Sequence, residues 1–439
     1  MGVAGWASTA TAQPSPSAQM AAALALIERH YVEATEPDAL VQGAITGMLS
    51  GLDPHSALLP TEAAQTFSED TNGRFGGIGV EVIADGGRLR IVNVFEGGPA
   101  AQAGLQPGDE VRAVNGERIE TTQLARIIQE MRGAPGTTLR LTIHRGDPGE
   151  SHEATLVREI IRVRAVDARL LADDTLYIAL KAFQRGAAAE VAAAFNAASQ
   201  SLGPERSIAG VLLDLRNNAG GLVDEARQLA DLFLSEGIIV STQGRGGKVL
   251  SQLKATRRGT LPTLPVLVLV NHYSASAAEI VAGALQDHGR ARLVGTRTFG
   301  KGSVQDVYAL EGLGLMKLTV ALYVTPLGRV IQAAGIVPDF VIPALDAAAS
   351  EKLSEALLKE GEAELPGHLE ARSGSPSRAP MAVPDTSSPQ VAPLDLAARE
   401  ALRRTPDFTT RARPSFPNDF QAQMAHQLLL AQTREAGLH

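Results

Sequence analysis

A serine and a lysine, 25 residues apart, are the residues of this chain best suited to chemistry. Ser276 lies in the small-residue run Ser274-Ala275-Ser276-Ala277-Ala278. Before it comes Val266 to Val270, an apolar run of the kind a strand buried on both faces shows. After it, Glu279 to Asp287 reads as an amphipathic helix. Ser276 therefore stands at a strand-to-helix turn, beside helix-start amides that carry partial positive charge and have no partner within the helix. A hydroxyl there can attack a carbonyl while nearby N–H groups receive the developing oxyanion. Lys301 follows in Thr298-Phe299-Gly300-Lys301-Gly302, where the two glycines let the backbone bend and approach closely. A lysine held among apolar groups loses solvation, and its pKa falls from the free value of about 10.4. The neutral amine can then accept the serine proton. Each residue also has a plainer reading, the serine as a cap or packing residue and the lysine as a loop residue. His272 and His288 lie nearby, but neither is followed by an acid partner pattern that would make it the better base.

Those two segments, SASAAEI (274–280) and TFGKGSVQ (298–305), resemble the signature of the carboxyl-terminal processing peptidases, also called tail-specific proteases. The resemblance implies a nucleophile at Ser276, a general base at Lys301 and a supporting polar group at Gln305. Ala278 replaces a common serine there, a harmless change. Leu213-Asp214-Leu215-Arg216-Asn217-Asn218-Ala219-Gly220-Gly221 is similar to the LDLRxNPGG segment of the same family, with Ala219 where proline is common. Its glycine pair lets backbone amides face a ligand closely. Gly220 or Gly221, with the Ala277 N–H, is the expected oxyanion hole, and Ala219 leaves that loop freer than proline would. Asp214 and Arg216 are expected to stabilise the loop rather than perform chemistry. Two further family-like segments are GLDPHS (51–56), where Asp53 and His55 should brace a loop, and TPLGRVIQAAGIVPD (325–339), which should shape the cleft floor.

Stepping outward, residues 73–157 carry the order and turns of a PDZ domain in the permuted arrangement of bacterial proteases. GPAAQAGLQPGDEVRAVNG (98–116) is its most specific stretch. In PDZ domains, amides of a glycine loop capture a peptide's terminal carboxylate and the peptide adds as a strand. The resemblance carries that role to Gly77, Ile78 and Gly79.

With 439 residues, two or three domains are expected. Apolar residues make up 44% of the chain, enough for real cores, and a net charge of −8 argues against nucleic-acid binding. The absence of cysteine removes disulfides, thiol catalysis and thiolate metal sites. Residues 1–17 should be a disordered tail or the remnant of a signal peptide, because Ala10-Thr11-Ala12 has the small-residue character of a cleavage site. Residues 18–72 read as an N-terminal helical segment and 158–345 as the peptidase core, built from alternating strands and helices. Within 346–439, the Pro/Ser/Ala-rich span 366–393 should be a disordered linker and Asp419 to Gly437 a terminal helix.

The expected fold is therefore α/β, with a mixed sheet and helices in a crotonase- or ClpP-like core, an inserted β-rich PDZ domain, and helical extensions at both ends. The resemblance implies a serine endopeptidase that takes protein or peptide substrates with exposed C-termini and needs no metal or cofactor. It further implies a periplasmic or envelope setting, homo-oligomers and PDZ gating, and it admits an adaptor lipoprotein as partner. Two rivals stand against it. One is a non-catalytic PDZ scaffold on a decayed peptidase fold, which need not keep both Ser276 and Lys301. The other is a crotonase-like acyl-CoA enzyme, disfavoured by the PDZ insertion and the lysine loop.

Overall fold

Every residue of the strand Val266–Val270 is buried, and so is every residue of its neighbour Gly210–Asp214. The computed structural model, which describes residues 14–85, 87–119, 124–146, 149–343, 361–370, 416 and 419–435, shows why. The two strands lie at the centre of a six-stranded sheet. Thr175–Leu180, Gly210–Asp214, Val266–Val270, Arg292–Gly295 and Phe340–Val341 run parallel in that order, and Val166–Leu170 joins antiparallel at the edge. Period-two alternation sends Val266, Val268 and Val270 into one core with the helices Ala187–Leu202, Val223–Phe233 and Ala277–Asp287. Leu267 and Leu269 enter a second core on the other face, covered by Ala422, Ala425, Leu428 and Leu429 of the terminal helix Phe420–Glu435. Burial on both faces is what an uninterrupted β-branched and leucine run predicts. The expected mixed sheet with helices is thus observed.

Ile238–Gln243 departs from simple βα alternation. It pairs antiparallel with Val249–Lys254 and, through Ser241, Thr242 and Gln243, with Val324, Tyr323 and Leu322, in a separate sheet.

The PDZ module is an antiparallel sheet of Val80–Asp85, Arg88–Val94, Glu110–Val114, Thr138–Gly146 and Gly149–Val157, with the helix Leu124–Met131. Its own core gathers Leu89, Ile91, Leu139, Leu141 and Ile143. Entry and exit strands, Arg74–Gly77 and Glu159–Arg162, pair into a two-stranded stem. Gln184 sits at the foot of that stem, donating to the Val163 carbonyl at 2.5 Å and filling the space above Gly73. Its neighbour Phe183 bonds the Gly220 carbonyl at 2.9 Å.

Everything above belongs to one compact unit, residues 65–304 with 320 onward; a second comprises residues up to 64 with 305–319. In the second unit, helices Pro16–His30 and Pro37–Ser50 precede a short strand, Ala57–Leu59, that pairs antiparallel with Lys317–Leu315. The first helix opens inside the expected tail, with Ser15 as its N-cap, and none of its residues is buried. Residues 1–13 lie outside the described residues. At the other end, 366–370 differ from the expected linker: Leu369 packs on Leu322, Val324 and Val330, because the chain turns back onto apolar surface there. The rest of that span, 371–393, lies outside the described residues.

Candidate active site

The turn after Val270 is built from side chains that stand in for backbone partners. The Ser274 hydroxyl donates to the Leu215 carbonyl at 2.8 Å and accepts from the Asn271 amide at 2.9 Å. Ser274 is fully buried, so the first serine of the pair is structural. Ser276 then takes φ 54° and ψ −112°, a conformation rare for a residue with a side chain, and caps the helix Ala277–Asp287. Such backbone strain costs about 1–3 kcal/mol and persists only where the surroundings over-determine it.

The over-determining group is Glu279. Its carboxylate is completely buried and accepts four hydrogen bonds. One oxygen takes the Ser276 N–H at 2.9 Å and the Lys301 N–H at 2.8 Å. The other takes the Gly300 N–H at 2.8 Å and the Thr298 hydroxyl at 2.5 Å. One side chain thus ties the backbone of the candidate nucleophile to the backbone of the candidate base. Burial pushes the Glu279 carboxyl up to about 7, although all four donors pull it down. The spacing Ser-x-x-Glu is a capping-box signal that singles out this residue, whereas apolar periodicity marks it only as the start of a helix.

The lysine segment is held just as closely. A Cβ on Gly302 would come within 2.2 Å of the Gln332 amide nitrogen, and the Gly302 N–H donates to the Gln332 side chain at 3.0 Å. Gly300 has φ +94° and accepts the Ala333 amide at 2.8 Å. Both flanking glycines are therefore demanded by close approach or by φ.

Opposite Ser276 runs the loop that ends in Gly220-Gly221. A Cβ on Gly220 would meet Ser276 Cβ at 2.8 Å and the Ala277 amide nitrogen at 3.0 Å, so Gly220 touches the turn directly. The Asn218 side chain donates to the Leu180 carbonyl at 2.8 Å and accepts the Gly220 N–H at 2.9 Å. The ladder with Phe183 uses the Gly220 carbonyl and the Leu222 amide. Asn217 and Asn271 exchange hydrogen bonds at 3.0 and 2.8 Å. At the start of the loop, Asp214 accepts from Arg216 and from the Tyr177 hydroxyl, and Arg216 also reaches Asp419. Burial and the neighbouring Asp214 carboxylate push the Tyr177 phenol up.

The remaining expected site residues have partners of their own. Gln305 belongs to the second unit, where its amide donates to the Thr319 hydroxyl at 3.3 Å. In the same unit Asp53 accepts the His55 and Ser56 amides at 2.9 and 3.0 Å and the Ser56 hydroxyl at 2.6 Å, a loop brace. Burial raises the Asp53 carboxyl, but these donors outweigh it and leave it below the usual range. His288 bonds the Ile238 carbonyl at 2.7 Å. In the PDZ module, the Ile78 and Gly79 carbonyls accept the Ala100 and Phe95 amides at 2.9 and 3.0 Å, and Gly79 has φ +77°. Among the described residues, no group of three or more His, Asp or Glu is arranged to hold a metal ion, and no helix is long and apolar enough to cross a membrane.

The chain matches three family patterns. They are described as Peptidase family S41 over residues 174–342, PDZ domain over 90–145, and Activating protease CtpB N-terminal domain over 6–63. A carboxy-terminal-processing protease of Bartonella bacilliformis is 39% identical over 349 residues, which are 80% of this chain and 79% of that one. The carboxy-terminal processing protease CtpA of Bacillus subtilis is 33% identical over 73% of this chain and 69% of its own. Among solved structures, a photosystem II D1 C-terminal processing protease is 26% identical with a TM-score of 0.45, covering 74% of this chain and 92% of that one.

Proposed function

Because this chain belongs to peptidase family S41, one of whose carboxy-terminal-processing members it matches along 80% of its length, we propose that Ser276 is the nucleophile and Lys301 the general base of its serine peptidase activity. The observation that carries this reading is the Glu279 carboxylate, which accepts the amides of both residues and so fixes the two peptide units against one another. The amine, neutral when desolvated, takes the serine proton as the oxygen attacks a substrate carbonyl. The Ala277 N–H, together with an N–H of the Gly220-Gly221 pair, receives the oxyanion. Since the Gly220 N–H already bonds Asn218, Gly221 is favoured as the second donor. The protonated amine returns its proton to the leaving nitrogen, and water then hydrolyses the acyl-enzyme. Gln305 keeps its role as a supporting polar group on family grounds alone.

Substrate selection falls to the PDZ module. The Gly77-Ile78-Gly79 loop captures the terminal carboxylate of an unstructured tail, and occupancy gates the peptidase. Support comes from the stem, which rests on Gln184, next to the residue that bonds Gly220. Residence in the cell envelope and homo-oligomeric assembly, with or without an adaptor lipoprotein, complete the proposal on family grounds alone.

The test is cleavage of an unstructured peptide with an apolar, free-carboxylate tail. Ser276→Ala and Lys301→Ala should each lower kcat by about a thousandfold or more while the circular-dichroism spectrum is unchanged. Wild-type turnover by either variant overturns the dyad.

A further inference from the structure

The terminal helix Phe420–Glu435 is distant in sequence from the peptidase core but shares one side chain with it. Arg216 lies two residues beyond the strand Gly210–Asp214 and four before Gly220. Its Nε donates to Asp214 at 2.9 Å and its Nη2 at 2.5 Å. The remaining face of the guanidinium is taken by Asp419, whose two oxygens accept from Nη1 at 2.8 Å and from Nη2 at 2.6 Å. Bidentate pairing of this kind fixes orientation as well as charge. Asp419 also accepts the Ala422 amide at 3.0 Å, so the same carboxylate caps the helix. The adjacent Gln421 bonds the Ile342 carbonyl at 2.6 Å and offers Nη1 a longer contact of 3.3 Å.

We propose that Asp419 is a positioning residue of the peptidase: it locks Arg216, and through Arg216 the loop that sets Gly220 against Ser276. Asp214 alone orients only one edge of the guanidinium. Without Asp419, Nη1 keeps only the long Gln421 contact, and the guanidinium is held on its Asp214 edge alone. Loop residues 217–221 are then held at one end fewer, and a small displacement of an oxyanion-forming loop lowers the rate of the chemical step rather than substrate affinity.

Docking of the helix does not depend on this pair. Ala422, Ala425, Leu428 and Leu429 are buried against Leu212, Leu267 and Leu269, and His426 Nε2 lies 2.8 Å from the Asp173 carboxylate. The helix therefore stays on the sheet when Asp419 is changed, which separates positioning from folding.

The experiment uses the full chain and the peptide-cleavage assay, with three variants. Asp419→Ser keeps the helix cap but does not reach Arg216. Asp419→Asn keeps the cap, the shape and one acceptor. His426→Ala removes a different polar anchor of the helix and leaves Arg216 untouched. Expected for Asp419→Ser is a fall in kcat of about ten- to a hundredfold, with KM within about twofold of wild type. Asp419→Asn should fall between it and wild type. His426→Ala should lower the melting temperature at least as much as Asp419→Ser while keeping kcat within about threefold of wild type. Unchanged kcat in Asp419→Ser, or equal losses of kcat in Asp419→Ser and His426→Ala, overturns the proposal. Should Asp419→Ser fold poorly, Asp419→Asn decides alone: a reduced kcat at unchanged KM supports the proposal, and wild-type kcat overturns it.

Discussion

Two glycine loops of this chain, both proposed to offer backbone amides to negative charge, are built differently. In the PDZ loop Gly77-Ile78-Gly79, the bonds that hold the chain run through the backbone carbonyls of Ile78 and Gly79. In the loop that ends at Gly220-Gly221, side chains add to the backbone bonds with Phe183: Asn218 on the Gly220 amide, Asn217 on Asn271, and Arg216 between two carboxylates. A loop that binds and releases a carboxylate gains little from such bracing. A loop that meets charge only in the transition state must already be in place when that charge appears, because reorganising there adds to the barrier. On the proposed reading, the loop with the denser side-chain bracing is the one that serves chemistry.

Breaking the braced region should cost most. Glu279→Ala leaves four donors, two buried and two half-buried, without their acceptor. Each orphaned donor costs about 1–3 kcal/mol, and the Ser276 and Lys301 backbones lose their common anchor. Loss of at least about a hundredfold in kcat, together with a lower denaturation midpoint, is expected; a variant that cleaves at the wild-type rate would show that the anchor is dispensable.

Matching substitutions in the two loops sharpen the contrast. Gly220→Ala puts a methyl group 2.8 Å from the Ala275 carbonyl at φ +101°, and kcat should fall by about a hundredfold. Gly79→Ala is strained at φ +77°, but the nearest atom its methyl group would meet is the end of the Ile161 side chain, at 3.3 Å. Its effect should be about tenfold, seen in kcat/KM for free-carboxylate tails and not for amidated ones. Steady-state kinetics on paired carboxylate and amide substrates reads both. Equal losses in kcat from the two variants would erase the distinction between the loops.

The smallest expected effect is on pH dependence. The Glu279 carboxyl is raised by burial to about 7 in the folded chain, against an ordinary value of 4.5. Between those values the folded form holds a proton that the unfolded form has released. Stability contributed by this group is therefore fully present below about pH 4.5 and is lost as pH rises through about 7. Activity should run the other way, since the ionised carboxylate is the form that accepts all four donors. Urea denaturation at pH 5 and pH 8 checks the sign: Glu279→Gln should flatten the slope, and an unaltered slope would assign it to other groups.

Much of the site was legible in the chain. Ser276 and Lys301 stand out because their neighbours must be small: helix start and strand end converge at the one, and backbone passes within contact of the flanking glycines at the other. The strand Val266–Val270 was legible because burial on both faces demands an unbroken apolar run. Val249–Lys254 was not, since it is mostly exposed and has no apolar pattern to betray it. Ile238–Gln243 was recognisable as a strand, but its alternation says nothing about which sheet it joins.

Local patterning, then, determined the elements and the PDZ insertion and singled out the proposed reactive pair, because burial periodicity and turn sterics act over a few neighbouring residues. The partners of polar groups were decided only by tertiary structure. Glu279 meets Lys301 from 22 residues away and Arg216 meets Asp419 from 203. A buried charge takes whichever complementary group the fold delivers within hydrogen-bond distance, and sequence spacing carries no record of that delivery.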